Sequence, residues 1–356
     1  MFFYTSLLLG TSTVIVLSQY ASQRAAKTSL IIVVFALTAF AGLRGFVGTD
    51  TYAYYLQFEE LSQLSNAAAF IRVEPCFTLL TLLIHIFTEN SVVFFFIVSV
   101  IQCFLLIRVL RNCSNPSWFL TIYVLTYYLS FHFNIIRAGT ASLLILLAFK
   151  ALYKPGMEFY LLALLSITSH FSAAFIIPIL FFLRGFWLAG WARAVIMASL
   201  SLAGLGAGVA IFWDELMSER ALSYMVMVMD PSVINSGVGI ALQGCLIVSL
   251  VLLLLDRGNR LEVMFIFLGY VVLRIISIRV FLITRISVYY EALLIFMICN
   301  AKPSSKKRLI VLLLLASLAM LSAFGTLTDL ANENKKLFDA VHARSVYLPY
   351  RFFWEE

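Results

Sequence analysis

Apolar runs separated by short polar stretches recur almost from end to end of this chain, each near the roughly 20 residues that a helix needs to cross hydrocarbon. Inside a bilayer a single unclosed chain can satisfy its backbone groups only as helices. The runs place crossing helices near residues 2–19, 28–43, 91–108, 117–132, 135–152, 157–169, 171–187, 194–212, 237–255, 261–280, 285–300 and 309–327. The expected fold is therefore all-α, a polytopic integral membrane protein with about 12 crossing helices. The first run, Phe2 to Leu17, has no basic residue before it and no small-residue cleavage site after it, so it reads as a retained helix.

Two stretches depart from this rhythm. Tyr54, Phe58 and Leu61 fall at i, i+4 and i+7, with Glu59, Glu60 and Gln63 elsewhere on the wheel, which predicts a short interfacial helix. The run from Glu74 to Thr88 is apolar too, but a crossing there would reverse the sidedness of every later basic loop. It is expected to lie along the outer surface or as a re-entrant helix, with Pro75 in its first turn and Asn90 or Ser91 capping the helix that follows.

Composition supports the same class. Hydrophobic residues make up 62% of 356, well above the roughly 45–50% of soluble domains. The net charge of +7 is explained by orientation rather than by nucleic acid, because basic residues gather in alternate loops: Arg24 and Lys27, Arg108 and Arg111, Lys150 and Lys154, Arg184 and Arg193, Arg257 and Arg260, then Lys302 to Arg308. Such loops face the cytoplasm. The whole chain, 1–356, reads as one transmembrane domain with outer loops at 44–90 and 213–236 and an outer tail at 328–356. Five cysteines form no CxxC or CxxH pattern and four histidines share no ligand spacing, so neither a metal nor a cofactor is expected.

The polar residues left on the outer side carry the candidate chemistry. Arg44-Gly-Phe-Val-Gly-Thr-Asp50-Thr-Tyr52 sets a guanidinium, two glycines and a carboxylate at the end of an apolar run. Arg72, Glu74, Arg137, His170, Arg220, Arg279 and Arg285 stand near other helix ends. Arginine suits phosphate because its planar fork binds two oxygens and stays charged; a salt bridge or snorkelling at the interface explains any one of them as well. Asp50 fits a helix N-cap or a general base. His170, at the apex between two short helices, fits a proton acceptor, a phosphate donor or a packing histidine. Arg137 opens a helix whose N-terminal dipole adds to its pull on an anion. Tyr289, Tyr290, Tyr347 and Tyr350 suit either an aromatic belt or sugar stacking. Arg274 and Glu291, at similar depth in consecutive helices, are expected to pair structurally.

These segments together resemble the Wzy-type polysaccharide polymerases, in particular the EpsG-like branch. The likeness rests on Arg44 to Tyr52 with its Gly-Thr-Asp-Thr core, Glu74-Pro75, Arg137 with Ala141, and His170-Phe-Ser172; the run Arg285-Ile-Ser-Val-Tyr289 is compatible with it. One departure is Ala138, where members often carry Gln after the helix-opening Arg. The resemblance implies a GT-C-like glycosyltransferase at the periplasmic face of a bacterial inner membrane. It would pass a growing glycan from undecaprenyl diphosphate to a lipid-linked repeat unit, with undecaprenyl-diphosphate-linked oligosaccharides, the bilayer and a chain-length regulator as partners, and no nucleic acid.

In that expectation Arg44, Arg137, Arg279, Arg285, Glu74 and Tyr289 bind substrate or diphosphate, while Asp50, His170 and Arg137 are catalytic. A lipid-linked oligosaccharide flippase is the main rival, disfavoured by charges that concentrate at one face and by the lack of an internal repeat. An O-antigen ligase would share the donor chemistry and differ in acceptor. An intramembrane protease or acyltransferase lacks its Gly-x-Ser-Gly motif or paired histidines.

Overall fold

A computed structural model of the chain describes residues 2–45, 47–48, 50–63, 74–154, 156–190, 260–277 and 282–300, with isolated positions at 195, 196 and 199. Every regular element among them is a helix. The helices are α1 (Phe2–Ser18), α2 (Gln23–Gly42), α3 (Thr51–Gln63), α4 (Pro75–His85), α5 (Ser91–Arg111), α6 (Pro116–Thr126), α7 (Ile136–Ala151), α8 (Glu158–Ser169), α9 (Ile177–Ala189), α10 (Arg260–Ser277) and α11 (Leu282–Asn300). A π-helical turn at Ser130–Asn134 precedes α7, and a 3-10 turn at Phe171–Phe175 precedes α9. The crossings expected at 194–212, 237–255 and 309–327, the outer loop 213–236 and the tail 328–356 fall outside the described residues, apart from the isolated positions within 194–212.

By length and composition α2 and α5 are each able to span a membrane, and shorter apolar helices accompany them. The chain is an all-helical membrane protein. Exposed Ile32, Phe35, Phe104, Leu161 and Leu164 give its outer surface the apolar character that lipid requires.

Local chemistry explains where the elements begin and end. α2 starts five residues before the apolar run because the Ser22 side chain caps it, accepting from the Ala25 N–H at 3.3 Å. Arg24 and Lys27 therefore lie in its first turn rather than in a loop. Asn90 caps α5 by accepting from the Val92 N–H at 2.9 Å. The run 171–187 is not one helix: Pro178 lies in the first turn of α9, where its missing N–H costs nothing, and the 3-10 turn leads into it. α6 stops at Thr126, short of the expected residue 132.

The core is organised around α7. Between Ile136 and Ala151 only Arg137 and Lys150 are not buried, the pattern of a helix enclosed on all sides. α8 packs along α7, α2 along α5, α1 along α6 and α10 along α11. A second apolar cluster joins Tyr54, Phe58 and Leu61 of α3 to Phe77 and Ile84 of α4, Phe94 of α5 and Ile136 of α7. The two short helices α3 and α4 therefore sit over the N-terminal ends of α5 and α7. His85 fastens them, stacking on Phe58 at 4.0 Å with Nε2 2.7 Å from the Phe58 carbonyl.

Arg184 was grouped with the loop cations, yet it is 2% exposed. Its guanidinium donates to the carbonyls of Ala151, Leu152, Lys154 and Gly156 at 3.0–3.2 Å and lies against the Phe159 and Tyr160 rings. It satisfies the carbonyls at the end of α7 and in the turn to α8. Ala151 O also accepts from the Lys154 N–H at 3.1 Å, so Arg184→Ala should cost about 2–4 kcal/mol chiefly by leaving the other three carbonyls without the guanidinium. The thermal midpoint of the purified protein in detergent should fall accordingly, with Arg184→Lys, which lacks the fork, little better.

Candidate active site

The site begins at the break between α6 and α7. After the π-helical turn, Ile135 has φ −86° and ψ 59°, which belongs to no helix. A helix broken at membrane depth leaves carbonyls that need partners from elsewhere. Arg44 Nη1 donates to His132 O at 2.5 Å and to Ala41 O at 2.8 Å. Thr51 Oγ1 lies 2.7 Å from Val47 O and 3.2 Å from Phe133 O. Gln102 Nε2 donates to Ile136 O at 2.9 Å and to Phe131 O at 3.2 Å.

Two glycines let these segments close. Gly48 has φ +117°, and a Cβ on it would stand 2.5 Å from Phe133 O. A Cβ on Gly139 would meet Phe131 O at 2.7 Å. The Arg44 to Thr51 motif is thus clamped onto the turn that delivers Arg137.

This gives Arg44 a place unlike that of a phosphate ligand at a helix tip. It is 1% exposed, with its guanidinium 4.8 Å from the Phe95 ring centre and 5.1 Å from that of Phe133. It acts on the backbone ahead of Arg137 rather than on the cavity side.

Arg137, second residue of α7, meets Glu74 and His170. Its Nη1 donates to Glu74 Oε2, and its guanidinium lies over the Tyr54 ring at 5.1 Å. His170 Nδ1 is 2.5 Å from Glu74 Oε1. Glu74 stands at the N-cap of α4 but makes no side-chain cap bond there, because both its oxygens are turned to these partners. α4 is kept against α8 by Cys76 Sγ and Thr168 Oγ1, 3.3 Å apart. His170 is extended (φ −159°, ψ 119°), its N–H bonded to Ser166 O at 3.0 Å and its carbonyl to the Ala173 N–H at 2.9 Å.

Burial by itself would raise the Glu74 pKa above its ordinary 4.5. The hydrogen bond from His170 and the charge of Arg137 outweigh it and bring the group down to about 2. Glu74 is therefore a carboxylate throughout the physiological range.

Of the other expected residues, Asp50 is half-buried just before α3, and its charge acts on Tyr54 one turn later. Tyr289 is fully buried, its hydroxyl 2.9 Å from that of Ser172, two residues after His170. Arg285 lies one helical turn before Tyr289 on α11, and its side chain is outside the described set, as is that of Arg274, the expected partner of Glu291. Arg72, Arg220 and Arg279 lie outside it entirely. The structure brings together Glu74, Arg137, His170 and Tyr54, with Asp50 and Tyr289 adjoining. Among the described residues no group of His, Cys, Asp or Glu could hold a metal ion.

Tyr54 and Gln102 escaped the sequence reading as site residues. Tyr54 served only as an apolar position of the interfacial helix. Gln102 carried a usable signal, a lone amide deep in an apolar run, which demands a hydrogen-bonding partner.

An arginine, a carboxylate and a histidine thus meet at the head of α7. A family model described as EpsG family matches residues 27–339, and the chain belongs to that family. Membership points to a polysaccharide polymerase of glycosyltransferase type. No curated protein and no solved structure matches the chain.

A carboxylate whose pKa drops on folding adds stability that is complete above 4.5 and is lost as pH falls toward 2. Acid melts of the wild type and Glu74→Gln should differ most above pH 4.5 and converge toward pH 2. Gly48→Ala should misplace Arg137 by strain worth about 1–3 kcal/mol or more, read as a lower thermal midpoint.

Proposed function

We propose that this protein is a Wzy-type polysaccharide polymerase, making O-antigen or exopolysaccharide by moving a glycan from undecaprenyl diphosphate to a lipid-linked repeat unit at the periplasmic face of a bacterial inner membrane. The observation that carries the reading is the convergence of Arg137, Glu74 and His170 from three separate elements at the head of α7. Prenyl tails enter between helices in the plane of the bilayer, while the sugars lie under the outer loops.

Charge sets the division of labour. Glu74 cancels much of the field of Arg137, so a diphosphate needs further cations. Arg285, one turn before the tyrosine bonded to Ser172, and Arg279 just ahead of α11 supply them. Arg137 keeps a buried Nε that has no hydrogen-bond partner among the described residues, a donor suited to an incoming anion. As the glycosyl bond breaks, negative charge grows on the leaving phosphate, and fixed guanidinium groups stabilise that change more than they stabilise the bound donor. Asp50 or His170 accepts the proton of the attacking hydroxyl. Tyr289 stacks on or bonds to sugar only if its Ser172 contact opens.

Purified protein supplied with one lipid-linked repeat unit should yield a ladder of longer glycans. Relocation of the unit without lengthening would mark a flippase, and transfer only to a different lipid acceptor a ligase. Arg137→Ala and Arg285→Ala should abolish the ladder while the protein still reaches the membrane, and Lys at either position should recover little. Full elongation by Arg137→Ala would remove that residue from the site.

A further inference from the structure

The geometry points to Glu74 as the positioning residue that makes His170, rather than Asp50, the proton acceptor of this transfer, by holding the hydrogen on Nδ1 so that Nε2 presents its lone pair to the acceptor hydroxyl. This rests on the polymerase reading above.

An ionised carboxylate only accepts hydrogen bonds. With Glu74 Oε1 2.5 Å from Nδ1, the hydrogen of that contact belongs to the imidazole, and the neutral ring is left with Nε2 as its basic atom. Among the described residues Nε2 has no hydrogen-bond partner. The second carboxylate oxygen is held by Arg137, so Glu74 cannot swing away, and the backbone of His170 is bonded on both sides. A base held by a fixed carboxylate through its other nitrogen is the arrangement by which an imidazole is oriented and its cation stabilised. Among the described residues Asp50 has no comparable fixture, and at neutral pH a carboxylate takes up a proton less readily than an imidazole does.

The step balances. The bond from the anomeric carbon to the diphosphate oxygen breaks, and its electron pair leaves on the phosphate. The acceptor hydroxyl oxygen bonds to that carbon, and its proton passes to His170 Nε2. The imidazolium is matched by the Glu74 carboxylate and releases its proton to water before the next addition.

Among the described residues the charged and titratable groups on the elements packed around His170 are Glu74 and Cys76 at the start of α4, Arg137 on α7, Tyr54 of α3 beyond Arg137, and Tyr289 and Tyr290 on α11. Of these Glu74 alone is in direct contact with the ring through a charge of opposite sign.

Steady-state elongation by reconstituted wild type, Glu74→Gln, Glu74→Asp and His170→Gln tests the role. Glu74→Gln should lower kcat by about 10²–10⁴ and move the acid limb of the kcat profile to lower pH, with Glu74→Asp partly restoring both. His170→Gln should remove the acid limb. A purely structural Glu74 would instead raise the donor KM and leave the acid limb where it was, which overturns the proposal. A ¹⁵N spectrum of histidine-labelled wild type, with His170 assigned through His170→Gln, needs no damaged variant: Nδ1–H at pH 8 is expected, and Nε2–H sinks the assignment. Wild type that makes no ladder defeats the polymerase reading and this role with it; a wild-type ladder with an unmoved limb in Glu74→Gln defeats this role alone.

Discussion

The structure depends on one constraint, that a helix broken inside an apolar environment must have its carbonyls bonded by side chains. The interruption between Thr126, where α6 stops, and Ile136, where α7 starts afresh, makes Arg137 emerge in the first turn of a new helix instead of midway along an old one. Left alone, the carbonyls of Phe131, His132 and Phe133 would make this break costly. Gln102, Arg44 and Thr51 make it tolerable. They come from α5, from the end of α2 and from the start of α3. This local feature thereby fixes the mutual placement of four helices, and α3 and α4 follow because Tyr54, Phe58 and Leu61 share a face next to Thr51.

The same constraint accounts for how the charged cluster is assembled. α7 is enclosed along its length, so the polar end at Arg137 cannot be solvated by rotating the helix. A guanidinium in that setting needs an anion, and Glu74 is brought to it by α4, packed beneath α3 and along α8. Having two oxygens, Glu74 then fixes His170 as well. The ion pair and the histidine contact are one unit, and neither would be held in place without the break that orients Arg137.

Much of this was legible in the sequence, and the limits have physical causes. The helices expected from apolar runs match α1, α5, α7, α8 and α11 closely, and the surface pair α3 and α4 was visible from the amphipathic wheel and from Pro75. Glu74, Arg137 and His170 each stood out as polar residues at helix ends. Their meeting was not legible, because it joins positions separated by 63 and 96 residues, and no local pattern encodes such pairing. Arg44 illustrates the opposite case. A cation at the end of an apolar run reads the same whether it faces a phosphate or an orphan carbonyl, and the partner at His132 lies 88 residues away. Arg184 was misplaced for the same reason, since four carbonyls of a distant turn leave no mark near position 184.

On the proposed polymerase reading, Glu74 stands beside the very arginine that would meet a diphosphate. A lone, half-buried arginine at the head of α7 would either recruit water or force the helix outward. Pairing with Glu74 keeps it oriented in the absence of an anionic ligand, at the expense of anion affinity. On that reading the loss is useful: the leaving lipid still carries its diphosphate, and a site of uncompensated arginines would retain it. A carboxylate already bonded to Arg137 would lower the affinity for donor and leaving lipid alike, while the charge that appears only as the bond breaks would still find the guanidinium field. Charge in such a site is thus best divided between cations that hold a headgroup and an arginine whose field is mostly balanced until the transition state.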